Sequence, residues 1–283
     1  MGDSMQKTIL ITGCSSGIGL CAAETLQKRG YRVFATARKE SDVRALATRG
    51  LESLQLDVRD SNSINAALTE ILKRTGGTLY ALFNNAGFVQ AGAVEDLSAA
   101  AIREQFETNV FGAIELTNGV IPIMRKQGYG RIIQNSSMLG VVAFPFVGAY
   151  NASKFALDGF THTLRQELRG TGIKVSIIAP GPILSQLRTN ADQYFSTRID
   201  IISSPHKQTY ERMAKRYKTP ELSKKDQRVT LTPEAVVADL IHALESSHPK
   251  SHYYVGFAAK LFAFLRRVLP ERSLDWLIAK ASY

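Results

Sequence analysis

Tyr150-Asn-Ala-Ser-Lys154 sets a phenol and an ammonium four residues apart, which on a helix puts both on one face. A phenol ionises near pH 10, and a cation beside it favours the phenolate, so such a pair is suited to passing a proton at working pH. The pair alone is weak evidence; its weight comes from what surrounds it. Ser137 stands thirteen residues earlier, after the apolar run Arg131-Ile-Ile-Gln-Asn-Ser136, and Asn84-Asn85-Ala86-Gly87 closes another such run. A second constellation opens the chain, Thr12-Gly13-Cys14-Ser15-Ser16-Gly17-Ile18-Gly19, directly after the first apolar run and with a helix beginning inside it. Glycines let the backbone turn sharply and approach a pyrophosphate, and the free amides of a helix start hold its negative charge.

Two other motifs compete for that loop. Gly13-Cys14-Ser15-Ser16-Gly17 also fits the Gly-x-Ser-x-Gly nucleophile elbow, but it lies on the first strand and leaves Gly19 unexplained, and the five histidines offer no obvious partner following an acid. A P-loop needs Gly-Lys-Ser/Thr, and Gly19 is followed by Leu20. In a dinucleotide-binding fold the end of the second strand selects the cofactor, with an acid there for the ribose hydroxyls of NAD. Here the stretch is Phe34-Ala-Thr-Ala-Arg-Lys39, with Ala37 and Arg38 in the place of the acid. An arginine would meet a ribose 2′-phosphate with a charge-assisted fork, and Ser15 could add a hydroxyl donor, so NADP(H) is expected over NAD.

The elements that must position these residues can be read from periodicity. Apolar runs at Thr8 to Thr12, Tyr31 to Thr36, Leu51 to Leu56, Leu79 to Phe83, Arg131 to Gln134 and Val175 to Ile178 alternate with helical patterns. Those patterns include Ile18 to Lys28, Ser61 to Lys73, Ala99 to Met124 and Tyr150 to Leu168. Such alternation predicts an α/β fold, a doubly wound parallel sheet of Rossmann type with helices on both faces, as a single domain over residues 1–283. The composition, 45% hydrophobic and 21% charged, excludes disorder and collagen. Cys14 and Cys21, with no CxxC pair or adjacent histidine, speak against structural zinc, a disulfide scaffold and an oxidising compartment, and no metal is expected. No run is apolar enough to span a membrane, and Met1 to Lys7 lacks the apolar middle of a secretory signal, which points to the cytoplasm. The formal charge of +10 asks for an anionic partner.

At this point the chain resembles the short-chain dehydrogenase/reductase family from Thr8 to about Glu245. Thr12 to Gly19, Asp57, Asn84 to Gly87, Asn109, Ser137, Tyr150, Lys154, Pro180-Gly181 and Ser185 fall in that family's order and spacing. Arg38 resembles the NADP-preferring branch. The tail after Gly256, with Leu269-Pro270-Glu271-Arg272, is similar to bacterial NADP-dependent aldehyde reductases and, more distantly, to hydroxysteroid and retinol dehydrogenases. The resemblance implies hydride transfer between a nicotinamide and a carbonyl, with Tyr150 as proton donor, Ser137 donating to the substrate oxygen and Lys154 holding the nicotinamide ribose. It implies that Asn109 keeps a water in a relay behind the lysine. It further implies that Asp57 and Val58 meet the adenine, that Asn85, Ala86 and Gly87 pass the adenosine ribose, and that Pro180, Gly181, Ile183 and Ser185 border the nicotinamide. Asn84 reads equally as a sheet bridge. A homo-oligomer, dimer or tetramer, is the family expectation.

Two regions stand outside this pattern. Residues 182–231 turn polar and basic without a clear strand, which predicts a substrate lid or a solvated basic surface. Residues 256–283 predict a helical tail that either docks on the body or a second subunit, or lies peripherally on a membrane. Met138, Val142, Phe144, Phe146 and Val147, between Ser137 and Tyr150, suit a carbonyl with an apolar body. The reading is therefore an NADPH-dependent reductase of an apolar aldehyde or ketone, with no nucleic acid partner. Its alternatives are the same chemistry run as a hydroxysteroid- or retinol-type alcohol dehydrogenase, and a non-catalytic NADP-sensing protein.

Overall fold

Residues Thr8–Ile11 (β1) and Ala81–Asn84 (β4) are buried along their whole length, as strands covered on both faces must be. The computed structural model describes residues 6–219 and 224–282; residues 1–5, 220–223 and 283, with the Met1 start and Glu221 among them, lie outside the described residues. The remaining strands are β2 (Arg32–Ala37), β3 (Glu52–Gln55), β5 (Gly130–Asn135), β6 (Ile173–Pro180) and β7 (His252–Val255). They form one sheet in the order β3-β2-β1-β4-β5-β6-β7 with every neighbouring pair parallel. This is the expected Rossmann-type single domain.

Alternation along β1 divides the core. Ile9 and Ile11 face α1 (Gly17–Lys28) and α10 (Pro233–Glu245), packing among Leu26, Val33, Phe83 and Leu240. Leu10 faces α3 (Ser61–Thr75) and α5 (Gly112–Gln127), among Phe34, Ile71, Leu82 and Val120. Each fully buried side chain of this size contributes roughly 1.5–3 kcal/mol. Strand order reverses beside β1, so the carboxyl ends of β1, β4, β5 and β6 open onto one crevice, where an open α/β sheet binds its ligand.

The structure departs from the sequence reading in two places, the helix over Ala99 to Met124 and a seventh strand, and it fills in the two regions that stood outside the pattern. The long helix expected over Ala99 to Met124 is α4 (Ala99–Phe106), a π-helical turn Glu107–Phe111, and α5. The seventh strand was not legible: in β7 only Tyr253 and Val255 are buried, and the four-residue run is too short to declare a period. Among the described residues, 182–231 carry three helices, α7 (Leu187–Arg198), α8 (Lys207–Lys218) and α9 (Lys224–Val229), closed at the base by a bridge between Ile183 and Leu231. The tail forms α11 (Gly256–Val268) and α12 (Glu271–Ser282), and one face of it docks on the body. Ala259, Ala263, Leu274 and Ile278 pack with Met138 and Val142, while Phe262 meets Phe144 edge-on at 5.4 Å.

Candidate active site

The glycine loop is tight because nothing larger fits. Gly13 and Gly17 hold φ of +70° and +56°, the left-handed region that favours glycine. A Cβ on Gly19 would stand 2.3 Å from the Gly13 carbonyl oxygen, so the first turn of α1 lies against the loop itself. Ser16 is the N-cap residue of α1 but makes no side-chain cap, and the first turn carries no acid. The helix start therefore presents uncapped amides and its positive dipole end to the crevice, a cradle that fits a pyrophosphate. Ser15 is exposed, and Ile18 packs against the core beneath. Gly17 faces Ser185, whose Cβ would lie 3.1 Å from an added methyl, so the segment after β6 closes over the loop. Pro180 ends β6, Gly181 donates to the Val255 carbonyl, and Ser185 Oγ accepts from the Leu187 amide.

The opposite wall is the end of β4. Thr12 Oγ1 accepts from the Asn85 and Ala86 amides, and Asn85 Nδ2 donates to the carbonyls of Thr12 and Gly13. Gly87 is exposed to the crevice and leaves room for Asn109, whose Oδ1 would lie 3.1 Å from a Cβ there. Asn84 is the structural bridge: buried, it donates to the Ala113 carbonyl and to Thr117 Oγ1. Arg38 is exposed just past β2. Asp57 follows β3 with both carboxylate oxygens on Arg59, whose hydrogen bonds hold its pKa below the usual aspartate value. A cleft of about 460 Å³ opens there between Asp57, Arg59, Asp60, Glu104 and Glu107. Val58 is buried, and its carbonyl lies so close to α5 that only Gly112 fits opposite.

Tyr150 and Lys154 sit on α6 (Gly148–Glu167), both buried, with the Lys154 ammonium 5.7 Å from the Tyr150 ring centroid. Ser137 caps the 3-10 turn Met138–Gly140 after β5, accepting from the Leu139 amide, and its hydroxyl lies beside the Tyr150 phenol. Lys154 Nζ donates to the Asn135 carbonyl at 2.7 Å, Asn135 Nδ2 donates to Asn85 Oδ1, and Asn85 reaches the glycine loop. The ammonium and the phosphate cradle are thus tied by one unbroken set of hydrogen bonds. Asn109 lies buried on the π-helical turn. Its amide donates to the Phe88 carbonyl and to Ser153 Oγ, which donates to the Tyr150 carbonyl. Both of its amide hydrogens are engaged by protein groups, and its Oδ1 accepts from the Phe88 amide.

Electrostatics differ from the sequence expectation. Burial pushes the Tyr150 phenol up to about 12, the Ser137 hydrogen bond opposing and the Asp158 charge adding to the rise. Lys154 is pushed down to about 8 by burial, with Asp158 resisting. In the free chain, burial therefore outweighs the neighbouring ammonium, and Tyr150 rests as a neutral phenol able to donate a proton. Asp158 was missed by the sequence reading. It is buried one turn past Lys154 on the same helix face, a spacing that could have flagged it. Burial raises its pKa to about 7, against the Ser136 hydroxyl and the Lys154 ammonium. A Cβ on Gly140 would come within 2.8 Å of both Asp158 Oδ2 and Ser136 Oγ, so the carboxylate lies directly under the turn that carries Ser137.

A family model described as short chain dehydrogenase matches residues 7–194. The chain belongs to the short-chain dehydrogenase family. The family chain is 39% identical over 277 residues to the oxidoreductase YbbO of Escherichia coli, covering 98% of this chain and 96% of the relative. It is 33% identical over 279 residues to mouse retinol dehydrogenase 16, covering 96% of this chain and 87% of that one. Among solved structures it is similar to an actinorhodin polyketide ketoreductase with NADPH, at a TM-score of 0.72 and 28% identity, covering 90% of this chain and 97% of the other. The family assignment makes this chain an oxidoreductase that acts on CH-OH or carbonyl groups with NAD or NADP.

Proposed function

We propose that this dehydrogenase uses NADPH to reduce an apolar aldehyde or ketone to the alcohol. The observation that carries the proposal is the buried, neutral Tyr150 phenol with the Ser137 hydroxyl and the Lys154 ammonium beside it. The cofactor, when bound, supplies the hydride. Negative charge then builds on the carbonyl oxygen, and Ser137 and Tyr150 are the two donors placed to meet it, Tyr150 giving up its proton. Lys154 holds positive charge behind the phenol and holds the nicotinamide ribose, and Asn109 keeps a water in the proton path through the π-helical turn. The Gly13 to Gly19 loop and the α1 amides hold the pyrophosphate. Asp57, Val58 and Asn85 to Gly87 border the adenosine, and Pro180, Gly181, Ile183 and Ser185 the nicotinamide.

Arg38 and Ser15 stand where a ribose 2′-phosphate would arrive, and no acid occupies that position, which favours NADPH. The apolar wall after Ser137 is covered from two sides. Met138, Val142 and Phe144 lie under α11 and α12; Phe146 lies under α8, edge-on to Tyr210 and His206. Residues 182–231 act as the substrate lid, anchored by the buried Tyr210, whose hydroxyl accepts from the Ala93 amide and donates to Asp96. The reading carries with it a cytoplasmic location, which the two free cysteines support, and a homo-oligomer of two or four chains.

Purified protein mixed with NADPH and a panel of aliphatic, aromatic and steroidal carbonyls should oxidise the cofactor with at least one apolar substrate. Tight NADPH binding without turnover on any of them would favour the nucleotide-sensing alternative. The similarity to a retinol dehydrogenase favours a second reading, oxidation of an apolar alcohol by the same residues. Higher kcat/KM with NADP⁺ and the alcohol than with NADPH and the carbonyl would select it.

A further inference from the structure

Helix α11 is apolar on both faces. Its buried residues are Ala259 and Ala263, while Phe257 is 74% exposed, Phe264 61% and Val268 53%. With Leu261, half-buried, these fall at i, i+4, i+7 and i+11, a single stripe facing away from the body. Phe262, Leu265 and Leu269 already pack inward beside these alanines, so the outward stripe is a second apolar face that a helix meeting only water on that side would not carry. On the following helix Trp276 is 57% exposed, with the Lys280 ammonium 3.9 Å over its ring.

The charges around the stripe indicate what covers it. Residues 256–283 hold five cations, Lys260, Arg266, Arg267, Arg272 and Lys280, against two acids, Glu271 and Asp275. Glu271 is 3.7 Å from Arg266, and the charge of the exposed Lys260 favours ionised Asp239. Arg267 adds its charge to a basic corner with Arg165, His162 and His252, where the combined effect of burial and these cations keeps His252 unprotonated. A second copy across a two-fold axis would bring like charges onto one another, which costs affinity. An anionic lipid surface meets both features: exposed aromatics enter the headgroup boundary and the basic side chains lie on lipid phosphates. At 13 residues α11 is about 20 Å long, short of the roughly 30 Å hydrocarbon core, so it lies on the surface. Among the described residues, no helix is long and apolar enough to cross a membrane.

We propose that the outer face of α11, with Trp276, seats the chain on an anionic lipid bilayer. This is independent of the carbonyl-reductase reading, since it uses none of the crevice residues. Its consequence for that reading is proximity: the inner face of the same helix lies on Met138 and Val142, next to Ser137, so an apolar substrate dissolved in the bilayer would arrive beside the crevice.

The test is vesicle flotation of the full-length protein with phosphatidylcholine vesicles and with vesicles containing phosphatidylglycerol, at low and high salt. Flotation is expected with the anionic vesicles only, reduced by salt. The exposed pair Phe257→Ser with Phe264→Ser, and separately Lys260→Glu with Arg267→Glu, should each weaken binding by about tenfold or more, with melting temperature and NADPH binding unchanged. No flotation of the wild type with anionic vesicles would overturn the proposal, as would equal flotation of the variants. Light scattering on the same samples closes the other route: a wild-type oligomer that dissociates in the Phe257→Ser, Phe264→Ser variant assigns the stripe to a second copy and refutes the lipid assignment.

Discussion

Replacing Gly19 by alanine tests the cradle at its narrowest point. The new Cβ would sit 2.3 Å from the Gly13 carbonyl oxygen and 2.6 Å from Asn85 Nδ2, where ordinary contact begins at 3.4 Å, so the gap must open by about 1 Å. What stands in the way is backbone, and Asn85 cannot retreat without releasing its bonds to Thr12, Gly13 and Asn135. Overpacking of this kind costs roughly 1–3 kcal/mol, and the upper end applies where the neighbour is backbone. Alanine returns about 1 kcal/mol in a helix interior, leaving a net loss of about 2 kcal/mol and a melting temperature lower by about 4–8 °C for a chain of this size. A loop displaced to relieve the strain must be restored to hold a pyrophosphate, so the NADPH Kd should rise about tenfold or more, at 1.4 kcal/mol per factor of ten. Gly159→Ala is the control. It lies on the exposed side of α6 with nothing within 4 Å of its Cβ, and should raise stability by about 1 kcal/mol. Thermal melts and NADPH fluorescence titrations of both variants check the pair. If Gly19→Ala melts and binds as the wild type does, the close approach of α1 to the loop is wrong.

Arg38→Asp should move the ratio of kcat/KM for NADPH over NADH toward NADH by about tenfold to a hundredfold, the worth of one hydrogen bond to a charged group; an unchanged ratio removes Arg38 from cofactor selection. Asp158→Asn tests the buried carboxylate under Ser137. Its folded pKa of about 7 lies above the unfolded aspartate value, so the folded chain holds a proton that the unfolded chain has released, and stability from this group falls as pH rises from about 4 through 7. Urea unfolding across that window should show the decline in the wild type and a flatter profile in the variant; parallel profiles would mean that Asp158 titrates normally. Lys154, held at about 8, contributes the opposite slope, stability rising as pH goes from about 8 into the ordinary lysine range, and this slope should vanish in Lys154→Met.

Most of what positions the crevice was legible in the chain, because fully buried parallel strands leave continuous apolar runs and glycine loops leave gaps that no other residue fills. Six strands, the Gly13 to Gly19 loop and the pairing of Tyr150 with Lys154 on one helix face follow from those two facts. What escaped was set by tertiary contact. β7 is too short to show a period and is recognisable only from its pairing with β6. The π-helical turn at Glu107–Phe111 has ordinary helical composition, and its identity lies in Asn109 reaching Phe88 and Ser153. The phenol's pKa was expected to fall beside Lys154 and an oxidised nicotinamide; in the free chain burial, which spacing cannot convey, raises it. The tail was visible as amphipathic, but that Ala259, Ala263 and Phe262 turn inward while Phe257 and Phe264 turn outward emerges only from the packing on Met138, Val142 and Phe144.

The central claim is that the Tyr150 hydroxyl delivers the proton. Steady-state reduction of an apolar carbonyl by Tyr150→Phe, alongside an NADPH titration of the same sample, measures it most directly. Loss of a positioned general acid should lower kcat by about a hundredfold to ten-thousandfold, with NADPH affinity within about twofold of the wild type, because the phenol only borders the cofactor. Turnover undiminished in a variant that still binds NADPH would contradict it.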